Sequence, residues 1–183
     1  VAQGVAFADA GAALESFRGV PGRLEMIEEV QPFHFVVDIA STEQAMRNVL
    51  SVLRAATPGR LFVVFGAAGE RDRERRSGIA RAVAESADFA VIANEDPRSE
   101  DPDAIIREIA AALAREGWRE GDRFVRVADR REALAHAFGS ARAGDTVLLA
   151  GKGTEQSIVI GTVHHPWDER AVARDLLRER FGV

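Results

Sequence analysis

The chain has 183 residues, of which 46% are hydrophobic and 29% charged, and its formal net charge is −5. This length allows one substantial core, and the acidic balance argues against non-specific binding of nucleic acid. The absence of cysteine excludes disulfides and thiolate metal sites. Because no apolar run of transmembrane length and no signal-peptide pattern is present, we expect a cytoplasmic protein that contacts neither nucleic acid nor a membrane.

The first 22 residues differ in pattern from the rest of the chain. Residues 1–18 predict a loop and a short helix with one apolar face, and Gly19-Val20-Pro21-Gly22 then interrupts regular structure. The chain opens in mid-pattern without an initiator methionine, which favours an excised domain. We therefore expect residues 1–22 to be the tail of a preceding domain with a hinge, and residues 23–183 to be the domain proper. The apolar face of the short helix carries Ala12, Ala13, Leu14 and Phe17.

From residue 23 onward, strand and helix patterns alternate. The predicted strands are residues 23–30, 33–39, 61–65, 89–93, 124–128, 146–150 and 157–162. The predicted helices are residues 42–56, 74–86, 101–116, 131–142 and 168–181, the last with Ala171, Val172, Leu176 and Leu177 inward. This alternation predicts an α/β fold, a Rossmann-like, doubly wound and mostly parallel sheet of about six strands with helices on both faces.

Charged or glycine-rich segments follow four of the predicted strands. They are Asp38, residues 66–72, residues 94–98 and residues 151–155. The carboxyl ends of parallel strands share one edge of a sheet, and ligands of open α/β sheets bind at that edge. We therefore expect these segments to converge on one crevice.

Lys152 is the only lysine in the chain, so every other basic side chain except histidine is an arginine. Its compact charge between two glycines suggests a specific use, with chance as the alternative. The surrounding segment is not a phosphate-binding P-loop, because that pattern requires a glycine at Thr146 and a hydroxyl at Gly153. The turn at Gly66 likewise lacks the dinucleotide pattern G-x-G-x-x-G. The catalytic residues stay unknown, and Lys152 is only a weak candidate.

Residues 95–98 combine two carboxylates with a guanidinium, a set that can bind a zwitterion, although a solvated turn has the same composition. Residues 70–76 are equally consistent with an exposed helix start held by ion pairs. The four histidines have no metal-ligand spacing, and the pair at 164–165 is interpreted as an exposed loop. No metal is assigned to this chain.

Four segments resemble, in chain order, the C-terminal domain of the Mur ligases, in particular the ligases that add the third residue of the peptidoglycan stem. FRGVPGRLE at 17–25 resembles the join between the central and C-terminal domains. VVFGAAGERD at 63–72 resembles VVFGCGGDRD, NEDPRSEDP at 94–102 resembles DNPRSEDP, and GKGTE at 151–155 resembles GKGHE. The matches run through nearly the whole chain.

The resemblance implies one domain of an ATP-dependent amide ligase of peptidoglycan synthesis. Missing N-terminal and central domains would bind the UDP-MurNAc-dipeptide and hold ATP and Mg²⁺, forming an acyl phosphate, and this domain would deliver the amine. The isolated domain would be inactive and hold no cofactor tightly. The residues implied to bind the incoming amino acid are Arg71, Glu95, Asp96, Arg98, Gly151 and Glu155. The residues implied to contact the nucleotide are Arg23, Asp38, Ser41 and Thr42.

Arg98 would read a distal carboxylate, which meso-diaminopimelate has and lysine lacks, so the resemblance favours diaminopimelate. The chain also departs from the family pattern. DIASTEQ at 38–44 stands where the family has DYAHTPD, Thr154 replaces a histidine, and Asp96 replaces an amide. These departures leave open a divergent or non-catalytic paralogue that binds a different amino acid or a partner protein.

Overall fold

The computed structural model describes residues 4–17 and 19–182. Arg18, within the predicted hinge, and Val1 to Gln3, within the predicted tail, lie outside the described residues. The helices are α1 (Phe7–Ser16), α2 (Glu43–Ala56), α3 (Glu74–Ser86), α4 (Pro102–Arg115), α5 (Arg130–Ser140) and α6 (Glu169–Phe181). The strands are β1 (Glu25–Met26), β2 (His34–Asp38), β3 (Leu61–Phe65), β4 (Phe89–Ile92), β5 (Phe124–Arg126), β6 (Thr146–Ala150), β7 (Ser157–Ile160) and β8 (Val163–Pro166).

Six strands form one sheet in the order β1-β2-β6-β3-β4-β5, and only β1 is antiparallel to its neighbour. Strand β6 lies between β2 and β3, with Thr146 opposite both His34 and Leu61. Chain order therefore reverses at β6, where a doubly wound sheet opens a crevice at the carboxyl ends of its strands. The predicted fold class is confirmed.

The central strands are buried on both faces because helices cover each side of the sheet. Alternate residues point to opposite faces, so Val63 and Leu148 pack under α2, α3 and α4, while Val64 and Leu149 pack under α5 and α6. Every residue of β3 and β6 is buried. The continuous apolar run at 61–65 therefore matches β3 residue for residue, and the buried strand predicted at 146–150 matches β6.

Side-chain caps start four of the helices and so fix where the loops at the crevice end. Thr42 accepts a hydrogen bond from the amide of Ala45 at the start of α2. Asp101, Asp129 and Asp168 do the same for α4, α5 and α6. Each cap satisfies an amide that the helix itself leaves unpaired.

Several expected elements differ from the structure. The strand expected at 23–30 is only two residues long, because Leu24 has a φ of 46° and the ladder with β2 covers only residues 25 and 26. The strand expected at 157–162 does not join the sheet but forms a separate hairpin with β8. That hairpin contains His164 and His165, which are exposed but not in a loop.

The inward faces of the first and last helices also differ from expectation. None of the residues of α1 is buried, and Ala12, Ala13 and Leu14 of the expected apolar face are exposed. In α6 the buried positions are Glu169, Ala173 and Leu177, four residues apart, and Ala171 is exposed. Val172 and Leu176 pack partly against the core.

Candidate functional site

The carboxyl ends of β2, β6, β3 and β4 meet at one edge of the sheet, as the sequence predicts. Backbone hydrogen bonds join the segments that follow these strands. The amide of Gly151 donates to the carbonyl of Asp38 at 3.0 Å, and the amide of Gly69 donates to the carbonyl of Asp96 at 2.8 Å. The segments after the four strands therefore come together at this edge, the candidate crevice.

Lys152 lies at the centre of this edge and is fully buried. Its ammonium donates to Asp96 Oδ1 at 2.8 Å and also to Glu155. Asp96 Oδ1 accepts a second hydrogen bond from the amide of Val159 at 2.8 Å, so one oxygen links the lysine to β7. Burying an ammonium requires such pairing, because an unpaired buried charge is costly.

Glu95 is the most perturbed carboxyl group of the edge. It is 5% exposed, and its Oε2 atom has no hydrogen-bond partner among the residues that the structure describes. Burial is the largest influence and raises its pKa to about 7, while the nearby charges of Arg130, Lys152 and Arg75 oppose that rise. A buried carboxyl group with a pKa near neutrality is typical of functional sites.

Glycines allow Glu95 to pack this closely. A Cβ atom on Gly151 would lie 2.6 Å from Glu95 Oε2, and a Cβ on Gly66 would lie 2.3 Å from the carbonyl oxygen of Ala93. Gly151 also has a φ of 102°, a conformation that other residues rarely adopt. Both positions require glycine, and the glycines at the strand ends therefore serve close packing.

Arg71 and Arg98 lie on the two loops that follow β3 and β4. No ion pair to either guanidinium is present within residues 4–17 and 19–182, and Arg98 Nε is buried without a partner. Arg98 has a φ of 53°, and its amide donates to the carbonyl of Val159 at 3.0 Å. The backbone of Arg98 is thus anchored to the hairpin of β7 and β8, and its guanidinium is available to bind an anion.

The same two loops are held together beside these arginines. Glu70 Oε1 accepts from the Ser99 hydroxyl at 2.5 Å, and the Glu70 amide donates to Glu100 Oε1 at 2.6 Å. The hydrogen bond from the Ser99 side chain, followed by the one from the Ser99 amide, lowers the pKa of Glu70. Arg76 is buried behind them and donates to Glu100 at 2.8 Å and to Glu108 at 2.7 Å. These pairs are structural rather than part of the crevice.

The four residues implied to contact a nucleotide lie together near the end of β2, but most of their polar atoms are already used. The Asp38 carboxylate accepts from the amides of Leu24 and Ala40, each at 2.7 Å. The hydroxyl of Ser41 is bound by Arg75 at 2.7 Å, and Thr42 caps α2. Only the Arg23 side chain, which is exposed, has no such partner in the described part of the chain.

Gly22, in the segment predicted to be a hinge, contacts residues 151–155, called the lysine loop below. A Cβ on Gly22 would lie 2.1 Å from the carbonyl carbon and oxygen of Gly153, and a Cβ on Gly153 would lie 2.1 Å from the carbonyl oxygen of Gly22. The two backbones therefore touch with no side chain between them. The adjoining surface has a cavity of about 480 Å³ lined by residues 19–21 and 23–26.

Sequence reasoning missed the ion pair between Arg130 and Glu169 beneath the crevice. Both side chains are fully buried, and the shortest of their contacts, from Arg130 Nη2 to Glu169 Oε1, is 2.6 Å. One local signal was present, since an arginine at the first position of a helix is unfavourable beside the positive end of the helix dipole. Its partner is 39 residues away and could not be read from spacing.

Neither a metal-ligand cluster nor a membrane-spanning helix is present in residues 4–17 and 19–182. No group of three or more histidine, aspartate or glutamate side chains there is arranged to hold a metal ion. None of the helices there has the length and apolar character needed to span a bilayer.

Comparison with known proteins identifies the family. The family model described as "Mur ligase, glutamate ligase domain" matches residues 22–153. The chain belongs to the Mur ligase family. A solved Mur ligase, a UDP-N-acetylmuramoyl-L-alanyl-D-glutamate--2,6-diaminopimelate ligase, superposes with a TM-score of 0.79 at 31% identity, covering 94% of this chain and 36% of that one.

Curated Mur ligases are also similar in sequence. The UDP-N-acetylmuramyl-tripeptide synthetase of Roseiflexus sp. (strain RS-1) is 46% identical over 97% of this chain and 35% of its own length. The UDP-N-acetylmuramoyl-L-alanyl-D-glutamate--2,6-diaminopimelate ligase of Solibacter usitatus (strain Ellin6076) is 41% identical over 90% of this chain and 33% of its own length. The chain thus spans about a third of the length of these Mur ligases.

Proposed function

We propose that this chain is the C-terminal, amino-acid-binding domain of an ATP-dependent amide ligase of peptidoglycan precursor synthesis, and that the amino acid is meso-diaminopimelate. Residues 23–183 are the binding domain, and residues 1–22 are the tail of a preceding ATP-binding domain with its hinge. The other substrate is the UDP-MurNAc-dipeptide, bound by the rest of the polypeptide. The names of two relatives that act on 2,6-diaminopimelate support this assignment.

The observation that carries the proposal is the pair of guanidinium groups on the rim of the crevice. Arg71 and Arg98 have no carboxylate partner in the described ranges, yet their loops are fixed by Glu70 and its hydrogen bonds. Meso-diaminopimelate carries two carboxylates and two ammonium groups. Guanidinium groups bind carboxylates in planar, bidentate geometry, and Glu155 is an exposed acid beside the same crevice for an ammonium.

The buried residues of the edge position these groups. Lys152 is paired with Asp96 and Glu155 and has no exposed surface, so it holds the loop that contains Gly151 in place. Asp96 is committed to Lys152 and Val159 and therefore orients the segment that carries Arg98. In this assignment Lys152 is a positioning residue and not a catalytic one.

ATP and Mg²⁺ belong mainly to the rest of the polypeptide. Asp38, Ser41 and Thr42 have partners within the fold, and Arg23 is the group best able to contact a phosphate. When bound, ATP supplies the phosphoryl group that activates the carboxylate to be joined. This domain brings the amine to that carboxylate and excludes water from it.

An amide NMR titration of the 183-residue chain tests the proposal. Meso-diaminopimelate should shift residues 95–98 and 151–155, L-lysine should shift them less, and Arg98→Ala should abolish the difference between the two ligands. Arg81→Ala, an exposed arginine on α3, is the matched control and should bind as the parent does. If meso-diaminopimelate shifts neither segment at millimolar concentration, the assignment of the amino acid is wrong. No observation in the structure favours the non-catalytic alternative.

A further inference from the structure

The guanidinium of Arg130 joins the two loops of the crevice from below. Its Nη2 atom donates to the carbonyl of Ala150 at 2.8 Å, and its Nη1 atom donates to the carbonyl of Asn94 at 3.1 Å. Ala150 is the last residue of β6 and immediately precedes Gly151, while Asn94 immediately precedes Glu95. One planar group therefore spans the start of both binding segments.

Glu169 holds this guanidinium in a single orientation. Arg130 Nε donates to Glu169 Oε2 at 2.9 Å, and Nη2 donates to Oε1 at 2.6 Å, which is a bidentate arrangement. Glu169 Oε2 also accepts from the indole of Trp167 at 2.5 Å. The Trp167 amide donates to the carbonyl of Gln156 at 3.0 Å, which follows the lysine loop directly. The pair is thus tied to both ends of residues 151–156.

Stability alone does not account for such a pair. Two fully buried charges are costly to desolvate, and well-packed apolar side chains often serve stability as well or better. An apolar pair could not bind the two carbonyl oxygens, however, and could not fix the distance between the strand ends. The geometry favours a role in shaping the crevice.

We propose that Arg130, oriented by Glu169, is a positioning residue that sets the separation of residues 94–98 and residues 151–155, and so controls the affinity of the crevice for the incoming amino acid. This inference rests on the proposed function. It assigns no contact with substrate to Arg130, which is buried.

Arg130 also sets the charge balance around Glu95. Burial raises the pKa of Glu95, and Arg130 is the strongest opposing charge, followed by Lys152 and Arg75, while Asp96 adds to the rise. Removing the guanidinium should therefore move the titration midpoint of Glu95 upward from about 7. A purely structural contact elsewhere in the fold would leave that midpoint unchanged.

The experiment compares Arg130→Lys and Glu169→Gln with the parent chain, using Asp145→Asn as the control. Asp145 is also buried and accepts hydrogen bonds from the amides of Arg60 and Arg142, but it lies at the amino ends of the strands, away from the crevice. Each variant is titrated with meso-diaminopimelate by amide NMR. The titration of Glu95 is followed by carboxyl carbon NMR.

We expect Arg130→Lys to weaken binding by about tenfold or more, because a point charge cannot replace the planar fork. Glu169→Gln should weaken binding in the same direction, and Asp145→Asn should not change it. A further variant, Arg130→Met, removes the positive charge altogether. The Glu95 midpoint should rise in this variant and stay near that of the parent in Asp145→Asn.

The outcomes separate this inference from the proposed function. If the parent chain binds meso-diaminopimelate and folded Arg130→Lys and Glu169→Gln bind it equally well, the inference is overturned and the proposed function stands. If the parent chain does not bind, the proposed amino acid is wrong. The amide chemical shifts of the ligand-free chains then decide the inference. It survives only if Arg130→Lys changes the shifts of both residues 94–98 and residues 151–155. If Arg130→Met does not fold, the Glu95 midpoint is measured in Arg130→Gln, which also removes the charge and should raise it.

Discussion

Replacing Glu95 with glutamine should change how the stability of the chain depends on pH. The folded state raises the pKa of this carboxyl group from 4.5 to about 7, chiefly through burial. The folded state therefore binds the Glu95 proton more tightly than the unfolded chain does. Between pH 4.5 and 7 the unfolded chain loses this proton first, so the free energy of unfolding falls as the pH rises through that window.

The size of the effect follows from the same values. Each pH unit between the two pKa values corresponds to about 1.4 kcal/mol, so full ionisation of Glu95 costs the folded state about 3 kcal/mol. Glutamine carries no charge at any pH and avoids this cost. The difference in unfolding free energy between Glu95→Gln and the parent should therefore grow by up to about 3 kcal/mol from pH 4.5 to pH 8.

Urea denaturation at half-unit pH steps, followed by the fluorescence of Trp118 and Trp167, measures this difference. The quantity compared is the change of this difference with pH. The glutamine amide needs hydrogen-bond partners of its own, and their absence would shift the unfolding free energy of Glu95→Gln by the same amount at every pH. Glu28→Gln, at an exposed carboxylate, is the control and should run parallel to the parent. A difference for Glu95→Gln that stays flat from pH 4.5 to 8 would show that the buried carboxyl group does not titrate as reasoned.

Three further perturbations probe other parts of the fold. Gly153→Ala should lower the free energy of unfolding by about 2 kcal/mol or more, because the added Cβ would lie 2.1 Å from a backbone oxygen. In the same urea experiment the control Gly139→Ala should raise it slightly, because the nearest atom to its Cβ is 3.9 Å away. Asp145→Asn should be less stable than the parent at pH 7. Hydrogen bonds from Arg60 and Arg142 lower the pKa of Asp145 against the opposing effect of burial. The difference in stability between the parent and Asp145→Asn should therefore be lost as the pH falls below 3.8 in thermal unfolding experiments. Deletion of residues 1–16 should shift the melting temperature by no more than about 2 °C in calorimetry, because α1 buries none of its residues, and a larger loss would mean that the helix packs on the fold.

The sequence predicted the elements whose signals are local. Strand β3 is an unbroken apolar run, β6 is apolar after Thr146, and both are followed by a glycine, while helix α3 was bounded correctly at residues 74 and 86. The buried side chains of β3 only need to be apolar, so composition and period are sufficient to predict that strand. The convergence of four loops at one sheet edge followed from the parallel order alone.

The remaining features depend on pairings across long stretches of chain. Strand β8 was missed because its exposed histidines carry no hydrophobic period, and its partner β7 supplies the register. The commitment of Lys152 to Asp96 joins residues 56 positions apart. The buried pair of Arg130 and Glu169 was missed for the same reason, since the unfavourable position of Arg130 at the start of α5 does not indicate a partner 39 residues away.

The contact between Gly22 and Gly153 has a mechanical consequence. The backbones of Gly22 and Gly153 are in direct contact, and no flexible side chain lies between them. Residues 19–22 therefore cannot shift without affecting the lysine loop. Any rotation of residues 19–22 has to displace Gly153 or break the contact. If these residues form the hinge proposed above, a swing of the preceding domain that keeps the contact moves Gly153 with it, so that domain orientation and loop position change as one coordinate rather than as two.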